Sequence, residues 1–401
     1  MNEERMKILE MLSEGNISID EAMQLLDSME RFVHPYAARQ ERPKQDWDFD
    51  RQRKFRNENG PSRRGRNPNI YRDADDDLNI DIDLGWVNEL KDNLTESVQS
   101  VANQLDNGFD FGRPTMVFND TAENVPDEIS SINLKGKNAK LEVIATEDNN
   151  ISLEAFFKPK HNMDPHIFFE KSNGNYSLLY DRNAVHSMGI RLRVPNNKIK
   201  DLYVETKNSD IYLRGLNINT GDVLTKNSSI QVDNMNGSYL SLETKNAPIY
   251  VNNTNFSELE VKTSNAKAIL DTLNCGSLTV QTTNGSVKID SSDIRYILAK
   301  ATNAGIRLEN MANGSSGQYQ KYSVDLFTIN SNISVNYPGC SAPLKLNAST
   351  TSGRINCKRD DLEYNTLDKN YIDAISKDYD EVHQTLDIKA QTTNGNISID
   401  V

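Results

Sequence analysis

Three lysines, Lys207, Lys226 and Lys245, stand 19 residues apart in this chain. A cation repeated at constant spacing is chemistry for anions. Ammonium groups brought side by side repel one another unless something neutralises them, and an anionic glycan, lipid head group or peptide would do so through charge-assisted hydrogen bonds. Glu205 and Glu243, two residues before the first and third lysine, are the internal alternative. Tyr212 and Tyr250 follow Lys207 and Lys245 by five residues and would add aromatic surface on the next strand. The ligand-binding candidates are therefore Lys207, Lys226, Lys245, Tyr212 and Tyr250. No catalytic set accompanies them. Each lysine is followed by an asparagine, and the positions three before that 19-residue asparagine series read Glu205, Leu224, Glu243, Lys262, Gln281 and Lys300, with no run of carboxylates for acid–base work on a polysaccharide. His34, His161, His166, His186 and His383 all fall outside the regular repeats; His161 and His166 are close enough in sequence to share a metal or to be two surface histidines. Cys275, Cys340 and Cys357 lack the CxxC spacing of zinc or redox sites. No nucleophile elbow or phosphate loop is present. The chain is thus expected to have no catalytic residue, no metal and no cofactor.

The elements that must carry the lysines follow from Asn208, Asn227, Asn246, Asn265, Asn284 and Asn303, again 19 apart. Three residues on stand Ile211, Ile230, Ile249, Ala268, Val287 and Ile306; five on, Leu213, Val232, Val251, Leu270, Ile289 and Leu308; four before, Val204, Val223, Leu242, Val261, Val280 and Ala299. Side chains two apart share a face of a strand, so each unit is two short strands facing one core across an Asn turn. Asparagine suits such a turn because it tolerates left-handed backbone angles and bonds its own backbone, which predicts a structural ladder of asparagines with left-handed geometry. A unit this short cannot bury its apolar face alone, so copies must stack. The fold class is mainly β: a single-stranded β-solenoid with 19-residue coils, regular over about 202–309 and extending over 113–401. Looser copies begin at Asn138, Asn330 and Ser352, and the chain ends on Thr393-Asn394-Gly395-Asn396-Ile397-Ser398-Ile399. Between Asn138 and Asn208 the register is lost, and Ile151–Phe157, Ile167–Glu170, Tyr176–Tyr180 and Ile190–Val194 read as hairpin strands. An insertion of mixed charge at 358–384 reads as a surface loop of the kind that binds a partner.

Ahead of the solenoid, residues 1–33 read as a small N-terminal helical hairpin. Ile8, Leu9, Met11 and Leu12 share one face, Gly15 stops the first helix, and Ser18 with Glu21 forms a capping box for the second. So short a segment cannot enclose a core, which predicts docking on a protein partner or on itself. Residues 34–83 are rich in Arg, Asn, Gln and Pro and read as a disordered, charged linker; Arg63-Arg64-Gly65-Arg66 is answered at once by Asp73, Asp75, Asp76 and Asp77. Residues 84–107 return to an amphipathic linking helix, with Val87, Leu90, Leu94, Val98, Val101 and Leu105 on a seam of coiled-coil type. That seam allows pairing between chains, and hence a homo-oligomer, or packing against the solenoid. A net charge of −13 over 401 residues argues against nucleic acid. No apolar run reaches the length of a transmembrane segment and no signal-peptide layout opens the chain, so the sequence by itself indicates the cytoplasm.

The solenoid units, the Leu192-Arg193-Val194-Pro195 strand and the Asn-Gly-Asn-Ile-Ser-Ile ending together resemble the putative-adhesin family of β-strand-repeat proteins. Glu14 to Ala22, Glu-Gly-Asn-Ile-Ser-Ile-Asp-Glu-Ala, resembles the SHOCT-like domain. The pairing looks like the LiaX/YvlB type of Gram-positive protein. That resemblance implies a role in the cell-envelope stress response and surface exposure without a signal peptide; with the lysine column it gives a non-enzymatic binding or sensing protein whose partner is an anionic envelope component. The alternatives are a surface adhesin or structural scaffold and, third, a carbohydrate-active β-solenoid enzyme.

Overall fold

A computed structural model describes residues 116–160, 163–196, 198–312, 321–379 and 384–401. The N-terminal hairpin, the charged linker and the 84–107 helix lie outside the described residues. What is described is built of strands. The first are β1 (Met116–Ala122), β2 (Glu128–Lys135), β3 (Ala139–Thr146), β4 (Ile151–Pro159), β5 (Phe168–Ser172), β6 (Asn175–Leu179) and β7 (Val185–Pro195). The regular region holds β8 (Lys198–Glu205), β9 (Ile211–Arg214), β10 (Asn217–Leu224), β11 (Ile230–Asp233), β12 (Asn236–Glu243), β13 (Ile249–Lys262), β14 (Ala268–Gln281), β15 (Val287–Asp290), β16 (Asp293–Lys300) and β17 (Ile306–Glu309). Beyond it run β18 (Lys321–Phe327), β19 (Ile333–Asn336), β20 (Leu344–Thr350), β21 (Ile355–Lys358), β22 (Leu362–Asp368), β23 (Tyr371–Ser376), β24 (Thr385–Thr392) and β25 (Ile397–Asp400).

The coils stack in parallel with a register of one repeat. Val204 pairs with Val223 and Val223 with Leu242 on the longer strands, and Ile211 with Ile230 and Ile230 with Ile249 on the shorter ones. The columns three and five past each Asn are buried along the whole series, as are those four before it. Each fully buried Val, Leu or Ile contributes roughly 1.5–3 kcal/mol of transfer free energy, and this core is what one coil could not make alone. Room is made where a large side chain enters. Gly237 sits beside Phe256, and a Cβ on it would fall 2.6 Å from the ring edge and 2.5 Å from the Ile218 carbonyl oxygen.

Two departures from chain order finish the array. At one end β2 and β3 stack directly on β8 and β9, while β6 and β7 pair with β2 and β3 from the other side. The chain between them turns back as antiparallel β4–β7, β1–β4 and β5–β6 pairs. The strands expected between 151 and 194 are therefore an end cap. At the other end, β24 and β25 slide between the β18/β19 coil and the β20/β21 coil. The insertion at 358–384 is not a loop: β22 and β23 form a hairpin laid antiparallel on β20. Antiparallel caps interrupt the parallel stacking that an open coil would otherwise offer to another chain.

The left-handed positions also differ from expectation. Positive φ falls on Gly215 (72°), Asn234 (52°), Asn253 (48°), Thr272 (53°), Ser291 (49°) and Asn310 (49°), seven residues after each Asn of the 19-residue series, and not on that series itself. The sharp corner lies at the end of the short strand. The Asn turn bends with ordinary angles because inter-coil hydrogen bonds hold it.

Candidate functional site

The Asn turns are tied at up to three depths. Innermost, at three of the six turns a buried threonine two residues before the Asn bonds to a carbonyl of the neighbouring coil: Thr206 Oγ1 to Ala139 O at 3.0 Å, Thr244 to Ser228 O at 3.1 Å, Thr263 to Ala247 O at 3.3 Å. Next, backbone amides cross between coils, Lys226 N–H to Lys207 O at 3.3 Å and Lys245 N–H to Lys226 O at 3.2 Å. Outermost, the asparagine side chains form a ladder. Asn227 Nδ2 donates to Asn208 Oδ1, Asn246 to Asn227 and Asn265 to Asn246, all at 2.7 Å; Asn284 donates to Asn265 and Asn303 to Asn284 at 2.8 Å. The ladder runs past the regular repeats, through Asn138 at one end and Asn330 and Asn394 at the other.

Immediately beside it, Lys207, Lys226 and Lys245 are exposed and adjacent, on a backbone fixed by these bonds. The column has a fourth member. Lys207 N–H donates to Lys137 O at 3.2 Å, so Lys137, also exposed, stands one coil before Lys207. Seventy residues and the end cap separate the two, which is why the 19-residue spacing does not reveal it. Arg182 is exposed near the same end, where the Tyr180 hydroxyl feels its charge and meets the Lys137 backbone. Past Lys245 the column continues as Ser264 and Thr283.

The internal neutralisers do not engage. Among the described residues none of the four lysines forms an ion pair. Glu205 accepts instead from the Tyr203 hydroxyl at 2.9 Å, and Glu243 stays exposed. On the short-strand side, Asp210 is spent on the Ser229 amide and hydroxyl, 2.9 and 2.8 Å away. The long-strand face carries both signs, with exposed Asp201, Asp222 and Glu258 alongside Lys200 and Lys300, and half-buried Glu260 paired to Lys262 at 2.6 Å. Burial, and then Glu260, raises the Asp222 carboxyl above its ordinary range.

The two tyrosines are placed differently from the expected open aromatic surface. Tyr212 is buried because β3, remote in sequence, packs beside β9; Lys140 Nζ sits 5.4 Å from its ring centroid. Burial, then Asp210 and Glu142, pushes its hydroxyl up to about 12. Tyr250 is half-buried with Lys267 Nζ 5.7 Å from its ring. Both rings already hold a cation, and neither joins the lysine column. Of the paired histidines, His166 is exposed, with Nδ1 3.6 Å from Asp164, and His161 lies outside the described residues. Burial pushes the Cys275 thiol up to about 12 and the Cys357 thiol to about 11, so neither is a thiolate at neutral pH.

The repeat, the two-strand coil and the Asn turn find a counterpart among known families. Residues 129–310 match the Toastrack DUF4097 family. Residues 3–32 match a SHOCT-like domain, so one chain carries both matches. The Toastrack match takes in the end cap and all six repeats of the Asn series. Solved structures that match include a putative adhesin from Parabacteroides merdae at 9% identity and TM-score 0.37, covering 71% of this chain and 96% of that one. A putative cell adhesion protein from Clostridium sporogenes gives 13%, TM-score 0.20, 71% and 99%. A putative adhesin from Parabacteroides distasonis gives 10%, TM-score 0.32, 71% and 97%. No curated protein matches the chain.

Proposed function

We propose that this protein is a non-enzymatic binding protein of the cell-envelope stress response, in which the Toastrack solenoid meets an anionic envelope component and residues 1–33 meet a protein partner. One observation carries the first half: four exposed lysines stand in adjacent coils on a hydrogen-bonded backbone, with Glu205 and Asp210 turned to other partners and Glu243 left exposed. Like charges held together without internal neutralisation are stabilised by an anion from outside. The stress-response setting rests on the pairing of the two domain types. Contact suffices for such a role, so the protein would relay or buffer the state of the envelope by occupancy. Replacing Lys207, Lys226 and Lys245 by Gln tests it. The variant should bind phosphatidylglycerol vesicles or teichoic-type polymer more weakly and with a flatter salt dependence, at an unchanged melting temperature. Unaltered binding removes the lysines from the account. A pull-down with residues 1–33 deleted tests the second half, and retention of every partner would dismiss it.

A further inference from the structure

Granting that reading, we infer that the anion is a linear polymer with repeated negative charges, lying along the stacking axis on the lysine column, and not a compact anion or a flat membrane. Parallel coils advance by roughly 4.8 Å, so Lys137 to Lys245 spans about 14 Å along the axis. A single phosphate would have to draw the outer side chains inward over this span, whereas an extended ligand meets all four in place. The columns beside it carry mixed charge. Lys135, Glu205, Glu243 and Lys262 line the long-strand side, with exposed Asp222 and Glu258 further out and Glu260 paired to Lys262 at 2.6 Å; on the other side Asp210, bonded to Ser229, is level with Lys140. A flat anionic bilayer brought onto this ridge would also meet exposed Glu243, Asp222 and Glu258, whereas a thin polymer can follow the column alone. The neighbouring asparagines add donors. Each Nδ2 spends one hydrogen on the preceding coil's Oδ1, and the second remains on an exposed side chain beside the lysines. Ser264 and Thr283 carry the track onward as neutral hydroxyl groups, so the charge-dependent part of binding should saturate with a ligand covering four coils.

The test uses the full chain with three probes: long-chain inorganic polyphosphate, pyrophosphate, and phosphatidylglycerol vesicles. Polyphosphate should bind with strong salt dependence, and pyrophosphate at equal total phosphate should compete at least about tenfold less well. The Lys207→Gln/Lys226→Gln/Lys245→Gln variant should lose about tenfold in polyphosphate affinity, and the matching Lys→Arg variant should retain it, with both melting like wild type. Equal competition by pyrophosphate, or polyphosphate binding untouched in the Gln variant, overturns the inference. Lysine-dependent vesicle binding without polyphosphate binding also overturns it, while leaving the proposed function standing. Binding of none of the three probes overturns both.

Discussion

Asn246→Ala isolates what the asparagine ladder contributes. Asn246 donates to Asn227 Oδ1 and accepts from Asn265 Nδ2, each at 2.7 Å, so the substitution removes two side-chain hydrogen bonds. An intramolecular hydrogen bond contributes about 0.5–1.5 kcal/mol net. The ladder is exposed, which favours the lower half of that range, and Asn246 has no left-handed strain to relieve. The expected loss is therefore about 1–2 kcal/mol, or roughly 2–8 °C in melting temperature for a domain of this size. Thermal unfolding followed by circular dichroism measures it directly. Asn246→Asp sharpens the result, because a carboxylate keeps the acceptor for Asn265 but sets oxygen against oxygen at Asn227. That variant should be the less stable of the two at neutral pH and recover in acid, where a protonated carboxyl can donate again. Its folded-state pKa is raised by the contact, so stability present below the ordinary carboxylate range is lost as pH rises. An alanine variant that melts within experimental error of wild type would refute the ladder as a stabilising element.

The left-handed corner makes an opposite prediction: Thr272→Asn, which matches Asn234 and Asn253 at the equivalent corners, should stabilise by about 1 kcal/mol by removing a β-branched residue from φ 53°; a lower melting temperature would contradict it. Gly237→Ala should cost about 1–3 kcal/mol, because the added methyl meets the Ile218 carbonyl as well as the Phe256 ring, and chemical denaturation showing no change would deny that close approach. Burial raises the Asp290 pKa, but hydrogen bonds from Asn310 and Lys288 outweigh it and hold the carboxyl below its ordinary range. Its contribution is therefore present at neutral pH and lost as pH falls through that lowered value. The destabilisation caused by Asp290→Asn should shrink in acid, and a penalty constant with pH would count against the pairing.

The sequence disclosed whatever repeats at constant spacing and little of what does not. The 19-residue series of Asn208 to Asn303, with its apolar columns, was enough to read the two-strand coil, since consecutive coils must stack to bury them. Stacking order beyond the series was hidden, because an edge pairs with whichever strand covers it and not with its neighbour in the chain. Lys137 thus enters the lysine column across the end cap, and β24/β25 enter the stack ahead of β20/β21. Tyr212 is covered by β3 for the same reason. The left-handed corner was misassigned to the Asn208 series because Gly215, Asn234, Asn253, Thr272, Ser291 and Asn310 share a conformation but only three of the six are asparagine. Thr206, Thr244 and Thr263 stand in one register of the repeat, and their inward parity was the available signal for the buried hydroxyl bonds.

The lysine column is tested most directly by its protection in the bound state. Lysine acetylation read by mass spectrometry, with and without long-chain polyphosphate, reports each side chain separately. Lys137, Lys207, Lys226 and Lys245 should be protected together, while Lys262, Lys300 and Lys389, on the outward face of the long strands, react as before. Protection spread evenly over all lysines, or confined to residues outside the column, would contradict the account.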